Sequence, residues 1–77
     1  MSKLILNPVY GDMSVLVIDF KKGDTIKQVM DEVVGDDEYP QWYGYENLKE
    51  LFENKPNDFH ALGEWFCEHN DYSDFTI

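Results

Sequence analysis

The sequence predicts a small α+β domain with the element order ββαααβ, and three observations lead to that prediction. Two apolar runs rich in β-branched residues open the chain, and a Gly-Asp turn separates them. Three segments with apolar residues at helical spacing follow, and a short alternating segment ends the chain. The chain has 77 residues, room for one sheet and a few helices, so we expect residues 1–77 to form a single domain.

The first two elements are predicted to form an antiparallel hairpin. Residues 3–9 form a short apolar run, and Pro8 is expected to place the end of this strand at a sheet edge. Residues 14–20, SVLVIDF, form the second strand, and residues 10–13 hold the turn. Alternation places two sets of side chains on opposite faces: Leu16, Ile18 and Phe20 on one, and Val15, Val17 and Asp19 on the other.

The first helix is predicted from an apolar stripe that follows a capping residue. Asp24 or Thr25 would cap its start, and Gly35 suits the left-handed position that ends a helix. The stripe occupies positions i, i+3, i+4, i+7 and i+8, which is typical of an amphipathic helix. Its members are Ile26, Val29, Met30, Val33 and Val34.

A loop over residues 36–45, DDEYPQWYGY, leads into the second predicted helix, over residues 45–54. Lys55 and Pro56 end that helix, because the residue before a proline disfavours helical backbone. Its apolar face holds Tyr45, Leu48, Leu51 and Phe52.

The third helix is predicted to start after Asn57 or Asp58 and to run to about His69. Its inner stripe holds Phe59, Leu62, Phe66 and His69, with Trp65 and Cys67 at the margins. Residues 72–77 then alternate as a terminal strand, with Phe75 and Ile77 facing inward.

The negative charge of the chain is concentrated after residue 27. Residues 1–27 carry four lysines and three aspartates, a net charge of +1, whereas residues 28–77 carry two lysines and 13 carboxylates, a net charge of −11. The chain has no arginine. Such a field repels nucleic acid and anionic membranes and attracts basic protein surfaces. We therefore expect a basic protein partner, no direct binding of nucleic acid and no membrane binding.

The carboxylates of the last two helices repeat one spacing, with three acids at i, i+4 and i+7 in each case. Each set forms a stripe opposite its apolar face, with neighbours about 5–6 Å apart, in the range of phosphates along a nucleic-acid strand. Loop acids extend the array, which comprises Asp36, Asp37, Glu38, Glu46, Glu50, Glu53, Glu64, Glu68 and Asp71. The alternative is an acidic face that only confers solubility.

The aromatic loop over residues 39–45 is a second candidate for partner binding. Tyr and Trp are favoured anchors at interfaces because they are large and rigid and carry a polar group. Next to acids they suit a surface rich in Lys and Arg, so Trp42 and Tyr43 are predicted anchors. The alternative is that these aromatics fill the core of a small domain, which applies more to Trp42 and Tyr45 than to Tyr43.

The sequence predicts no metal, no cofactor and no catalytic site. His60 and Glu64 share a helix face, but Cys67 and His69 point elsewhere and no second ligand pair has zinc-like spacing. Nearby carboxylates raise the pKa of a thiol, so Cys67 is a poor nucleophile. No glycine-rich phosphate loop or serine elbow is present.

Residues 39–53, YPQWYGYENLKELFE, resemble the Pro-x-Tyr-Tyr-Gly-x-Asn-Leu-Asp-Ala-Leu-Trp-Asp signature of the barstar family. With one extra residue near Tyr45, the matching positions are Pro40, Tyr43, Gly44, Asn47, Leu48, Leu51 and Phe52. Barstar-like proteins are small acidic inhibitors that plug the basic site of a ribonuclease with an acidic helix. The resemblance places Glu53 at the position of one inhibitory acid and Lys49 at that of another, and no segment after Asn54 matches the middle parallel strand of the family.

In composition the chain also resembles small phage and plasmid anti-restriction and anti-CRISPR proteins, which are short, acidic and cysteine-poor and often mimic DNA. Two segments are reminiscent of them in sequence, DDEY at residues 36–39 and YENLKEL at residues 45–51. Both resemblances imply a small acidic inhibitor of a nucleic-acid-handling protein.

The leading hypothesis is a non-enzymatic inhibitor that mimics nucleic acid and blocks the basic groove of a nuclease or DNA-binding complex. The alternative is a small regulatory module that docks through exposed aromatics. A single cysteine excludes an internal disulfide, and the chain shows no signal peptide and no apolar run of 18 residues. We therefore expect a cytoplasmic protein, in the bacterial host if it is phage-encoded.

Overall fold

The computed structural model describes residues 2–35 and 38–77, and its elements follow the predicted order ββαααβ. The strands are β1 (Ser2–Pro8), β2 (Leu16–Phe20) and β3 (Tyr72–Thr76). The helices are α1 (Ile26–Met30), α2 (Tyr45–Asn54) and α3 (Phe59–His69). A π-helical turn at Asp31–Gly35 extends α1, and a 3₁₀ turn at Tyr39–Gln41 precedes α2.

The three strands form one antiparallel sheet in the order β2-β1-β3. The predicted hairpin places Leu4 opposite Ile18, and the last strand of the chain adds to the free edge of β1. β1 is therefore the central strand. Its pairing with β2 ends at Leu6, so Pro8, its final residue, pairs on one side only, with Tyr72, where the register with β3 shifts. The end of β1 at Pro8 therefore lies at an edge, as predicted, although the strand itself is central.

α1 and α3 pack on one face of the sheet, and α2 packs against α1 and α3. The side chains of Leu4, Leu6 and Ile18 are fully buried beneath them. The ring of Phe20 on β2 stacks on Phe59 at the start of α3, with centroids 3.9 Å apart. The remaining core residues come from the helices and the aromatic turn: Ile26, Val29, Met30, Tyr39, Leu48, Leu62, Trp65 and Phe66. Among residues 2–35 and 38–77, no helix covers the opposite face of the sheet.

The helix starts follow the predicted capping chemistry. Thr25 accepts a hydrogen bond from the N–H of Gln28, whose side chain in turn accepts from the N–H of Thr25, and this reciprocal pair is a capping box. Asp58 caps α3 by accepting from the N–H of Ala61 at 3.0 Å. The sequence offered two candidate caps for α1 and two for α3, and the structure shows that Thr25 caps α1 and Asp58 caps α3.

The first helix departs from its prediction in its second half. The α-helix ends at Met30, and a π-helical turn takes the chain to Gly35, which has the expected left-handed φ of 91°. A π turn rotates the following residues relative to an α-helix, so Val33 is 44% exposed while Val34 still packs against the core. The prediction that Val33 belongs to the buried stripe was wrong.

Two further side-chain predictions were wrong. Ile77 was predicted to face inward, but it lies beyond the last residue of β3 and is 57% exposed. Trp65 was placed at the margin of its helix, yet it is buried, because the turn before α2 covers it. Phe75 packs against the core as predicted.

The Cα radius of gyration is 11.6 Å, close to the roughly 11–12 Å that scaling predicts for a compact chain of this length. Among the described residues, no helix combines the length and the apolar character needed to cross a bilayer.

Candidate partner-binding site

A groove runs between α2 and α3, which follow each other in the chain through a short turn at residues 55–58. Its volume is about 350 Å³, at the small end of the range for ligand pockets. Leu51, Ala61 and Trp65 supply apolar lining. Polar and charged side chains supply the rest: Asn47, Glu50, Asn54, Lys55, Asp58, Glu64, Glu68 and His69.

Three acids of the predicted array meet in this groove. Glu50 comes from α2, and Glu64 and Glu68 come from successive turns of α3. All three are exposed. Because they belong to different helices, their convergence depends on the packing of α2 against α3 and could not be obtained from the spacing along either helix alone.

The other predicted acids lie elsewhere. Glu46 lies beside the aromatic turn, and Glu53 is exposed on α2 but lines neither that turn nor the groove. Glu38 is exposed before the 3₁₀ turn, and the carbonyl of Asp71 accepts from the N–H of Val9 at 2.9 Å. The predicted residues Asp36 and Asp37 lie outside the described residues. Of the predicted array, three acids therefore line the groove, and the other described acids lie outside it.

The aromatic turn before α2 is held in place by contacts to α3. The Nε1–H of Trp65 donates to the carbonyl oxygen of Gly44 at 2.8 Å. Trp42 stacks on Trp65 with centroids 6.2 Å apart and planes 14° apart, and it also meets the edge of Phe66. Trp42 and Tyr45 are half-buried and pack against the core. Trp42, a predicted anchor, therefore buries part of its side chain in contacts within the fold.

Tyr43 has the opposite environment. Its side chain is 87% exposed, although its neighbours Trp42 and Gly44 are both fixed to α3. It shares a shallow surface depression with Glu46 at the start of α2. The turn therefore presents a rigid backbone that holds one large aromatic side chain in solvent beside a carboxylate.

A polar contact within the groove links α2 to α3. The Nδ2 of Asn47 lies 3.2 Å from Nε2 of His69. Asn47, His69 and Lys55 are groove residues that the sequence analysis did not assign to the site. Their helical positions were predicted, but their meeting is a tertiary contact with no signal in local sequence.

Few cations neutralise the acids of α2 and α3. Lys3 pairs with Asp19 at 2.7 Å, and Lys27 pairs with Asp31 at 2.9 Å, both outside these helices. The lysine on α2, Lys49, approaches Glu46 only to 3.9 Å and also lies over the ring of Tyr45.

Two histidines on α3 approach its acids. The Nδ1 of His60 lies 2.9 Å from Glu64, and Nε2 of His69 lies 3.8 Å from Glu68. Within residues 2–35 and 38–77, neither Glu50 nor Glu53 has an ion-pair partner.

The pKa of the Cys67 thiol is raised, first by burial and then by the negative charges of Asp74 and Glu68. The sequence predicted the contribution of the carboxylates but not the larger one of burial. In the part of the chain that the structure describes, no three His, Cys, Asp or Glu side chains converge closely enough to hold a metal ion.

No protein-family model, curated protein or solved structure matches this chain. The resemblances to the barstar family and to anti-restriction and anti-CRISPR proteins therefore stay predictions.

Proposed function

We propose that this protein is a non-enzymatic acidic inhibitor whose carboxylates on α2 and α3 bind the basic groove of a nuclease or another DNA-binding complex. The observation that carries the proposal is the cluster of exposed, poorly neutralised acids that two adjacent helices bring together at Glu50, Glu64 and Glu68. An inhibitor of the anti-restriction, anti-CRISPR or antitoxin type would act in the bacterial cytoplasm, where its target is.

The distribution of cations supports a partner that supplies positive charge. A fold selected only for stability gains from opposite charges at i, i+4 on an exposed helix face. Although Lys49 and Glu53 follow that spacing, α2 and α3 also place like charges at it, Glu46 with Glu50 and Glu64 with Glu68. The resulting repulsion would be relieved by lysine and arginine side chains of a bound protein.

The geometry also supports mimicry of a nucleic acid. Carboxylates on neighbouring turns of a helix lie about 5–6 Å apart, comparable to successive phosphates, and the packing of α2 against α3 brings two such rows onto one part of the surface. A groove that binds phosphates through lysine and arginine would accept this surface. Because the attraction acts over a Debye length, association would be fast and would weaken as salt is added.

The experiment is capture from a bacterial lysate on immobilised protein, with washes of rising salt and elution by added DNA or RNA. The expected result is one retained basic nuclease or nucleic-acid-binding complex that salt releases and nucleic acid displaces. A retained partner that neither salt releases nor nucleic acid displaces would contradict the proposal of nucleic-acid mimicry.

Two charge-reversal variants, one a test and the other its matched control, show whether the acids of α2 bind the partner. Glu50→Lys with Glu53→Lys should abolish retention of the partner. Asp12→Lys with Glu32→Lys changes the net charge by the same amount at exposed positions outside α2 and α3, and it should preserve retention. Equal loss in both variants would show that only overall charge matters.

A second candidate function rests on Tyr43. An aromatic side chain that is 87% exposed on a fixed backbone costs little conformational entropy to bind, which is how interface anchors act. In this alternative the protein is a regulatory module that docks through Tyr43, with the acids only maintaining solubility. Its binding would be nearly independent of salt and would be lost in Tyr43→Ala.

A further inference from the structure

Both histidines of the chain lie on α3, next to acids of the groove. The Nδ1 of His60 lies 2.9 Å from Glu64, one turn further along the helix, and the Nε2 of His69 lies 3.8 Å from its neighbour Glu68. Glu64 and Glu68 are two of the three acids that converge in the groove. Every histidine of this protein therefore lies beside a carboxylate of the proposed binding surface.

Histidine is the side chain that ordinarily gains its charge between about pH 8 and 5. Ordinary carboxylates are still largely ionised at about pH 5.5, and lysines stay charged throughout this range. The net charge of −10 counts both histidines as neutral. Mild acid therefore changes the side-chain charge of this protein mainly at two places, and both of them adjoin the groove.

His69 lies within the groove and contacts both helices. The Nδ2 of Asn47 on α2 lies 3.2 Å from its Nε2, and the backbone of Gly44 lies against its ring. On α3, the ring of Trp65 lies 6.2 Å away between centroids. The charged residues that line the groove with it are Glu50, Lys55, Asp58, Glu64 and Glu68. A proton on His69 therefore adds positive charge where acids outnumber Lys55.

His60 lies on the side of α3 that meets the sheet. The ring of Phe75 on β3 contacts it edge-on, with centroids 5.0 Å apart. The titratable residues of a second depression on this side are Glu64, Cys67, Glu68 and Asp74. The pKa of the Cys67 thiol is raised by burial and by the nearby acids, so this thiol stays neutral in mild acid. A proton on His60 therefore turns its contact with Glu64 into an ion pair.

We propose that protonation of His60 and His69 switches off the groove, so that the protein binds a basic partner at neutral pH and releases it in mild acid. The inference rests on the proposed function, because the regulated surface is the acidic groove. Each protonated histidine offsets the charge of one α3 acid. Of the groove cluster, only Glu50 then keeps its charge without an ion-pair partner among residues 2–35 and 38–77.

The direction of the effect follows from linkage between two binding equilibria. A cationic partner binds the form with neutral histidines more tightly, since it is repelled by a positive imidazolium. Binding of the partner and binding of protons therefore oppose each other. Affinity should be highest above the range in which histidines titrate and should fall as the pH passes through that range.

The test is binding of a rhodamine-labelled oligoarginine peptide, followed by fluorescence anisotropy at about pH 7.5 and about pH 5.5 in low salt. Arginine stays charged at both pH values, so the charge of the probe does not change. The dissociation constant should rise at least about fivefold at the lower pH.

The outcomes separate this inference from the proposed function. Equal affinity at the two pH values would overturn the switch and leave charge recognition by the groove in place. Absence of peptide binding at either pH would overturn both. Circular dichroism at both pH values checks that the fold is retained, so that weaker binding in acid is not caused by unfolding.

Variants identify the groups responsible. His60→Gln with His69→Gln keeps neutral, hydrogen-bonding side chains, so it should bind like the wild type at about pH 7.5 and lose most of the pH dependence. His69 packs against Gly44, so His60→Gln alone is the second variant. The side chain of His60 is 68% exposed, and this variant should keep the fold and reduce a fivefold effect to about twofold.

A relocated histidine provides the matched control. Tyr10 is 56% exposed in the hairpin turn, away from α2 and α3. Tyr10→His in the double glutamine variant adds one titrating group there and should not restore the pH dependence. Restoration would show that only overall charge matters. Equal pH dependence in the wild type and in the double glutamine variant would assign the effect to other groups, and either result would overturn the switch.

Discussion

His69 and Gly44 are in such close contact that no side chain fits between them. A Cβ placed on Gly44 would lie 2.4 Å from Cγ of His69. Gly44 also has a left-handed φ of 80° and precedes the first residue of α2, while its carbonyl accepts the hydrogen bond from Trp65. One glycine therefore fixes both the start of α2 and its approach to the end of α3, which together define the acidic groove.

We predict that Gly44→Ala lowers the free energy of unfolding by about 2–4 kcal/mol, because it adds left-handed strain and displaces His69. Gly23→Ala is the matched control. Gly23 has a φ of 97°, but its added Cβ would meet nothing within 4 Å, so only the strain of about 1 kcal/mol applies. Urea denaturation measures both values, and equal losses would contradict a steric role for His69.

A second contact joins the turn before α2 to the π-helical turn after α1. The hydroxyl of Tyr39 donates to the carboxylate of Asp31, and Lys27 holds the other carboxylate oxygen at 2.9 Å. Since Tyr39 is buried, this hydrogen bond ties the aromatic turn to the π-helical turn.

We predict that Tyr39→Phe destabilises the fold by about 1–3 kcal/mol, since it removes a hydrogen bond to a charged acceptor while the ring remains. Asp31→Asn should also destabilise it. In the double variant the losses should be less than additive by about 1 kcal/mol, because each single change already breaks the same contact. Strict additivity in urea denaturation would show that the two residues act independently.

The same contact predicts a loss of stability in alkali. Burial and the hydrogen bond to Asp31 raise the pKa of Tyr39 from 10.0 to about 12. Below pH 10 the phenol is protonated in both states, so its full contribution is present. Between pH 10 and about 12 the unfolded chain ionises first, and stability falls.

The measurement for this prediction is the free energy of unfolding of the wild type and of Tyr39→Phe at about pH 8 and about pH 11. Burial also raises the pKa of Tyr72, so both proteins should lose some stability in alkali. The wild type should lose more. An identical loss in the two proteins would contradict the raised pKa of Tyr39.

Local sequence signals were sufficient for the order of elements and for most of the core. Caps, glycines and apolar spacing are properties of neighbouring residues, which is why Thr25, Asp58 and Gly35 lie where these signals placed them. The π-helical turn was not predictable in this way. Its apolar positions fit an ordinary helix equally well, and the departure leaves Val33 exposed.

The candidate site was predictable only in its parts. The acids on each helix follow from spacing, but the groove requires that α2 pack against α3, a contact set by Gly44 and His69, which lie 25 positions apart in the chain. Likewise, Trp42 and Tyr43 were both predicted anchors, and the sequence only favoured a core role more for Trp42 than for Tyr43. The stacking of Trp42 on Trp65 and the exposure of Tyr43 show that Trp42 supports the fold while Tyr43 faces solvent.

Because Trp42 packs within the fold and Tyr43 faces solvent, substitutions of the two residues should separate effects on stability from effects on partner binding. Tyr43→Ala removes a side chain that is 87% exposed, so its stability should stay within about 0.5 kcal/mol of the wild type. Trp42→Ala removes rings that pack on Trp65 and Phe66 and should cost about 2–4 kcal/mol.

If Tyr43 anchors the partner beside the acids, Tyr43→Ala weakens capture without affecting the melting temperature, and Tyr43→Phe restores most of it, since the ring supplies the contact area. Capture that is equally strong in wild type and Tyr43→Ala would leave the carboxylates of α2 and α3 as the whole binding surface. In that case the exposed ring has no part in recognition, and the charge-reversal variants identify the face that does.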